Sequence, residues 1–242
     1  MTSFQYISDL HIEFYTEKNP FDIQQCAEYL LLGGDIGNPF LESYRLFLEN
    51  VSKRFNKIFI ISGNHEYYKN YIDETDTQIR YICSLFSNVI FLQNESYTIN
   101  NNLKIFGTTL WSYIPSESED IILSSISDYN FIKNFKPSIS NNLHQIAVNA
   151  LENEINNSEK NINYIVLSHH IPLLNLIPQK YKYCGEINHA FASDLNIAKS
   201  EKIKAWVYGH THTVSKIDKY YCNPVGYPDE NKYWSMNETF TI

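Results

Sequence analysis

Five short segments hold most of the side chains in this chain that could bind or activate something: Ser8-Asp9-Leu10-His11, Gly33-Gly34-Asp35, Gly63-Asn64-His65-Glu66, Ser168-His169-His170 and Gly209-His210-Thr211-His212. Six of the eight histidines lie in them. Each has an ordinary structural explanation when taken singly: Asp9 as a cap, Asp35 beside glycines as a turn, Asn64 as left-handed backbone. Short motifs of this kind are individually weak. Their shared context carries more weight, because each follows an apolar run that reads as a buried strand: Phe4 to Ile7, Tyr29 to Leu32, Ile58 to Ile61, Tyr164 to Leu167 and Ala205 to Tyr208. In open α/β sheets, sites form at the carboxyl ends of the strands, so the segments are placed to converge. Imidazole, carboxylate and amide donors without cysteine suit manganese, iron, zinc or nickel.

The ordered set Asp9-x-His11, Gly34-Asp35, Gly63-Asn64-His65-Glu66, His169 and Gly209-His210-Thr211-His212 resembles the calcineurin-like metallophosphoesterase family, over residues 3 to about 212. Gly107-Thr108-Thr109-Leu110-Trp111, Ala190-Phe191-Ala192-Ser193-Asp194-Leu195 and Cys222-Asn223-Pro224-Val225-Gly226-Tyr227 resemble a bacterial and phage-like subgroup of it. The resemblance implies an α/β fold in which two facing mixed sheets are flanked by helices, a four-layer α/β/β/α sandwich. It implies two divalent metal ions bridged by Asp35, with Asp9, His11 and His212 completing the first and Asn64, His169 and His210 the second. Such a pair neutralises the phosphoryl oxygens and lowers the pKa of a bound water toward about 7, so that a bridging hydroxide attacks phosphorus. His65 is then left uncoordinated, as general acid for the departing oxygen. Glu66 is expected to orient a histidine.

Adjacent residues at a strand end point to opposite sides, so only one of His169 and His170 should coordinate. The family pattern favours His169, leaving His170 either facing the substrate or packed beneath the loop that Pro172 stiffens. Asp194 and Asn223 are candidate substrate contacts by the subgroup resemblance. The expected activity is hydrolysis of a small phosphate ester, a diester before a monoester. A metal-dependent nuclease and an inactive binding module on the same fold are the alternatives.

A length of 242 residues with 43% hydrophobic content fits one domain, here a single catalytic domain over 1–242. The net charge of -8 and only three arginines, Arg45, Arg54 and Arg80, leave little to neutralise a long polyanion. Extended nucleic-acid binding is not expected. No apolar stretch reaches about twenty residues and the N-terminus enters a strand at once, so a cytoplasmic protein without a membrane partner is expected. Cys26, Cys83, Cys184 and Cys222 lack paired spacing and read as reduced thiols.

Leu41 to Phe55 and Asp73 to Phe86 carry helical spacing, which makes the chain to about Leu92 a βαβ half. Val89 to Leu92, Tyr97 to Ile99 and Leu103 to Phe106 read as the start of a second sheet, with Asn100-Asn101-Asn102 as a hairpin turn. Trp111 to Lys136 has no steady period and reads as a long loop with partial helix. Leu143, Ile146, Ala147, Ala150, Leu151 and Ile155 give an amphipathic helix over Ser138 to Asn156. A helix is expected around Asp194 to Lys199, and Tyr220 to Cys222 and Glu238 to Ile242 as closing strands of the second sheet. Trp111, Tyr113, Tyr129, Tyr183 and Tyr227 are candidate walls for a substrate.

Overall fold

The computed structural model describes residues 1–16 and 21–242. Its first half runs β1 (Ser3–Ile7), β2 (Tyr29–Leu32), α1 (Glu42–Ser52), β3 (Lys57–Ile60), α2 (Ile72–Ser84) and β4 (Val89–Phe91). Then come β5 (Glu95–Asn100), β6 (Leu103–Thr108), α3 (Glu119–Ser125), α4 (Asp128–Phe131), α5 (Pro137–Asn156), β7 (Asn163–Ser168), β8 (Ile203–Tyr208), β9 (Ser215–Ile217), β10 (Tyr220–Cys222) and β11 (Thr239–Thr241). They form a five-stranded sheet, β11-β1-β2-β3-β4, and a six-stranded sheet, β5-β6-β7-β8-β10-β9. The central strands of each are parallel, and β11, β5 and β9 are antiparallel edges.

The period of two along each strand builds the layers. Leu31, Phe59, Ile165, Leu167 and Val207 point into the space between the sheets and form one core there with Phe4 and Phe240. The alternating residues point outward. Leu30, Leu32, Ile58 and Ile60 meet Phe47 and Leu48 of α1 and Ile79 of α2, while Tyr164, Val166 and Trp206 meet Ala147, Leu151 and Ile155 of α5. Helices, two mixed sheets and a helix therefore stack as the expected four layers. Among the described residues, no helix is long and apolar enough to cross a membrane.

Two strand placements differ from expectation. β4 closes the first sheet beside β3 instead of opening the second, because the α2 crossover returns the chain parallel to β3. β11 pairs antiparallel with β1, Ser3 opposite Thr241, instead of joining the second sheet. Its Phe240 ring lies 5.3 Å from Phe4 and 5.8 Å from Tyr6, so burial between the sheets decides its partner. The helix expected near Asp194 is one tight turn, Asn196–Lys199. Within Trp111 to Lys136 the partial helix resolves into α3 and α4.

The inter-sheet core sets the stability expected of these layers. Phe59→Ala removes a fully buried ring and should cost about 3–5 kcal/mol, whereas Tyr233→Ala, at a side chain 86% exposed, should stay within about 0.5 kcal/mol. Urea unfolding of the two variants checks the contrast.

Candidate metal centre

Strands β1, β2, β3, β7 and β8 all deliver their carboxyl ends to one side of the sandwich. Main-chain bonds then stitch these ends together: Asp9 N–H donates to Gly34 O (2.9 Å), His11 N–H to Asp35 O (3.0 Å) and Gly209 N–H to His169 O (3.1 Å). The chain must bend sharply to do this. Asp9, His11, Asp35, His210 and His212 all take left-handed backbone, with φ of 54°, 47°, 51°, 69° and 46°. Such residues cost roughly 1–3 kcal/mol each and persist where surrounding structure over-determines them, typically at functional sites.

Among the described residues three groups of potential ligand atoms result: two contain the expected ligands, and His11, Glu13 and His65 form a third beside them. In the first, His11 Nε2 and His212 Nε2 face each other at 3.2 Å, and Asp9 Oδ1 lies 3.4 Å from His212 Nε2. In the second, His169 Nε2 lies 3.1 Å from Asn64 Oδ1 and 3.4 Å from Asp35 Oδ2, with the His210 ring 4.9 Å from that of His169. Asp35 stands between the groups: Oδ2 is also 3.8 Å from His11 Nε2, while Oδ1 accepts the His65 N–H at 2.8 Å.

The partners behind the rings leave the inward nitrogens free to coordinate. His169 Nδ1 is 2.9 Å from Gly33 O and its N–H donates there. His212 Nδ1 is 2.6 Å from Glu230 Oε2. His11 Nδ1 is buried without a hydrogen-bond partner, 3.5 Å from Glu13 Oε1. With both Nε2 atoms of His11 and His212 turned to one point, this donor set fits a divalent cation of the imidazole and carboxylate class. The electrostatics agree. Against the cost of burial, Asp35 raises the pKa of His169 to about 10, and Asp9 and Glu230 raise that of His212 to about 9. Carboxylates that hold a proton there also favour a metal ion. Desolvation and the neighbouring His170 and His169 push His210, which is half-buried, well below the usual imidazole range.

His65 lies beside both groups. Its ring stacks on Tyr68 (4.2 Å, 28°), Nε2 is 3.1 Å from the Tyr227 hydroxyl, and Nδ1 is 3.7 Å from Glu13 Oε1. Burial opposes its charge, but Asp35 and Glu13 prevail and its pKa is raised. A cavity of about 420 Å³ opens over Asp35, Asn64, His65, His210 and His212.

The remaining expected site residues are placed differently. His170 is buried, with Nδ1 3.3 Å from Thr109 O and its ring against Trp111 at 5.2 Å; it packs beneath the site and does not line the cavity. Burial and the neighbouring His169 lower its pKa to about 3, so it stays neutral. Asn223 is buried, with its amide donating to Tyr6 O (3.0 Å) and Ser235 O (2.7 Å). Those bonds hold the C-terminal segment to β1 and leave nothing for a substrate. Asp194 is exposed and outside the cavity lining. Of the candidate aromatic walls, Tyr227 alone lines the cavity.

Glu66 orients no histidine. Its Oε2 accepts the N–H of Asp35 (3.0 Å) and Gly63 (2.7 Å), and its Oε1 the N–H of Ile36 (2.7 Å). Burial and the Asp35 charge push its pKa up, to about 8, and the His169 charge with the N–H groups of Ile36 and Gly63 offsets only part of that rise. The structure also adds Asp128 and Glu13, which the sequence reading passed over. Asp128 Oδ1 accepts from Asn64 Nδ2 (2.7 Å) and the Tyr68 hydroxyl (2.8 Å), which turns Asn64 Oδ1 toward His169. No local motif marks Asp128. Glu13, two residues beyond His11, could have been read as a partner for it.

A model of the calcineurin-like phosphoesterases matches residues 4–214, and the chain belongs to that family. A protein of Acanthamoeba polyphaga mimivirus, itself uncharacterised, is 35% identical over 250 aligned positions, covering 90% of this chain and 87% of the viral one. The phosphopantetheinyl hydrolase of Mycobacterium tuberculosis shares the fold with a TM-score of 0.70 and 18% identity, over 93% of this chain and 90% of that one. A Thermus thermophilus structure aligns with a TM-score of 0.53 and 11% identity, over 86% of this chain and 81% of that one. Family membership supports a metal-dependent hydrolase of phosphoric esters.

The Glu66 contacts carry an expected outcome. Glu66→Ala would strand three buried N–H groups, each costing about 1–3 kcal/mol, so its melting temperature should fall well below that of the parent. Glu66→Gln, which keeps one acceptor oxygen, should lie between; a melting temperature equal to the parent's for both would remove the clamp.

Proposed function

We propose that the chain is a dinuclear metal-dependent phosphodiesterase acting on small phosphate esters. The observation that carries this reading is the position of Asp35, whose Oδ2 lies within 3.8 Å of His11 Nε2 and 3.4 Å of His169 Nε2. One carboxylate oxygen so placed can serve both groups of ligands. Asp9, His11 and His212 would hold one ion and Asn64, His169 and His210 the other, with manganese, iron, zinc or nickel compatible with the donors. Bound ions would supply neutralisation of the phosphoryl charge and a lowered water pKa.

The chain's own residues do the rest. Glu230 and the Gly33 carbonyl fix the ring orientations of His212 and His169. Asp128 presents the Asn64 amide oxygen. His65, whose protonated form Asp35 and Glu13 favour against burial and whose ring is held by Tyr68 and Tyr227, is placed to give a proton to the departing ester oxygen. A small substrate is supported by the arginines, each of which is committed to a surface ion pair: Arg45 with Glu42 and Glu49, Arg54 with Asp22, and Arg80 with Glu95. The name of the mycobacterial neighbour, a phosphopantetheinyl hydrolase, agrees with an ester of that scale.

Elemental analysis of manganese-loaded protein should approach two ions per chain, and Asp35→Asn should lose more metal than a change at any other ligand; a plateau at one ion would leave a mononuclear site. With the parent protein, bis(nitrophenyl) phosphate should turn over faster than nitrophenyl phosphate, and the reverse order would make the enzyme a monoesterase. His65→Ala should keep its metal and lose about 10²- to 10⁴-fold in kcat on a diester with a poor leaving group. The loss should shrink for nitrophenol, which departs without a proton. An equal loss on both would give His65 another role.

A further inference from the structure

The cavity continues from the metal centre into a chamber that the proposed chemistry does not use. Its walls are Ile126 at the end of α3, Ile171, Ile177 and Pro178 from the loop after β7, and Ile187 and Phe191 beyond it. The Phe191 ring lies 4.7 Å from that of His210, 30° from parallel, so the chamber begins at the second group of ligands. Ile171 and Ile177 belong to the outer core under α5 and give the chamber a rigid floor. Among the described residues lining the cavity there is no lysine or arginine, and its acidic groups are Asp35, Asp128 and Glu230. Much of the polar lining is already satisfied: Asn188 Nδ2 donates to Tyr181 O (3.0 Å) and Thr211 Oγ1 to Thr213 O (3.2 Å).

We infer that this chamber receives the non-reacting part of the substrate, and that this part is an uncharged alkyl or aryl arm. The substrate would carry its single anionic group at the metal centre and bury the arm among Ile126, Ile177, Ile187 and Phe191. This rests on the phosphoesterase reading and narrows its substrate class. A second phosphate or carboxylate in the chamber would be desolvated without a cation to meet it and would face Asp128 or Glu230, which is unfavourable. Lysines 180 and 232 line an adjoining hollow that shares His212 and Glu230 with the cavity, and neither is among the residues that line the chamber. Esters with several phosphates are therefore poor candidates, and esters with one phosphate and an apolar arm are good ones.

Alkylphosphonates test this without turnover. Binding of ethyl-, butyl-, hexyl- and octylphosphonate to manganese-loaded protein would be measured by calorimetry, beside a five-methylene phosphonate ending in a carboxylate. Affinity should rise about fourfold per methylene while the chamber has room, and the carboxylate-tipped compound should bind about tenfold more weakly than hexylphosphonate. Phe191→Ser should flatten the series. Equal affinity along the series, binding by no member, or tighter binding of the carboxylate-tipped compound would overturn the inference. Failure of the same metal-loaded protein to hydrolyse any nitrophenyl phosphate ester would instead remove the phosphoesterase reading, because the chamber is reported by the change of affinity along the phosphonate series and not by hydrolysis.

Discussion

The site depends on one buried carboxylate that touches none of the proposed ligand atoms. Glu66 accepts three main-chain N–H groups from the turns after β2 and β3, and in doing so joins the loop that carries Asp35 to the loop that carries Asn64 and His65. Asp35 is then fixed from the other side by the His65 N–H on its Oδ1. Its Oδ2 is then the oxygen that faces His11 and His169. The position of Asp35 is thus a consequence of backbone geometry, and Glu66 is what holds the backbone there.

That geometry explains the residue types around it. The two loops approach so closely that a Cβ at Gly63 would stand 2.1 Å from Asp35 Oδ1. One at Gly34, where φ is +84°, would stand 2.5 Å from Gly63 N. Glycine is required at both places, by contact at the first and by contact and conformation at the second. Aspartate and histidine tolerate the left-handed region better than bulky or β-branched residues do, so the side chains suited to coordination also suit the turns at Asp9, His11, Asp35, His210 and His212. The strain is spread over loops anchored by two sheets, whose cores supply the stability that such turns consume.

Much of this was legible in the sequence, for a definite reason. The strands are buried on both faces, so they appear as short apolar runs, and each proposed ligand follows such a run within a few residues. The helices α1, α2 and α5 were legible because one face of each is apolar and covers a sheet. What the sequence could not carry was pairing across long separations. Phe240 reads as a strand residue, but nothing local says that its ring packs on Phe4 and Tyr6 in the first sheet. Asn223 reads as a polar residue beside a turn, and only the fold shows its amide bound to Tyr6 O and Ser235 O. Asp128 escaped notice because it acts through Asn64, a residue far away in the chain, from within a segment of no steady period.

The distribution of charge bears on how such a site could recognise anything. Asp9, Glu13, Asp35, Asp128 and Glu230 crowd around the imidazoles, in a chain whose net charge is already -8. A phosphate ester approaching the protein without metal would meet these carboxylates, offset in part by the His169 and His212 imidazoles whose protons they favour. On the proposed reading, the main attraction for the substrate comes from the metal cations held there, beyond what the imidazoles supply. Charge then identifies a phosphoryl group but does not distinguish one ester from another. Discrimination falls to the uncharged part of the ligand, and the surface available for it is the apolar wall that runs from Phe191 to Ile126.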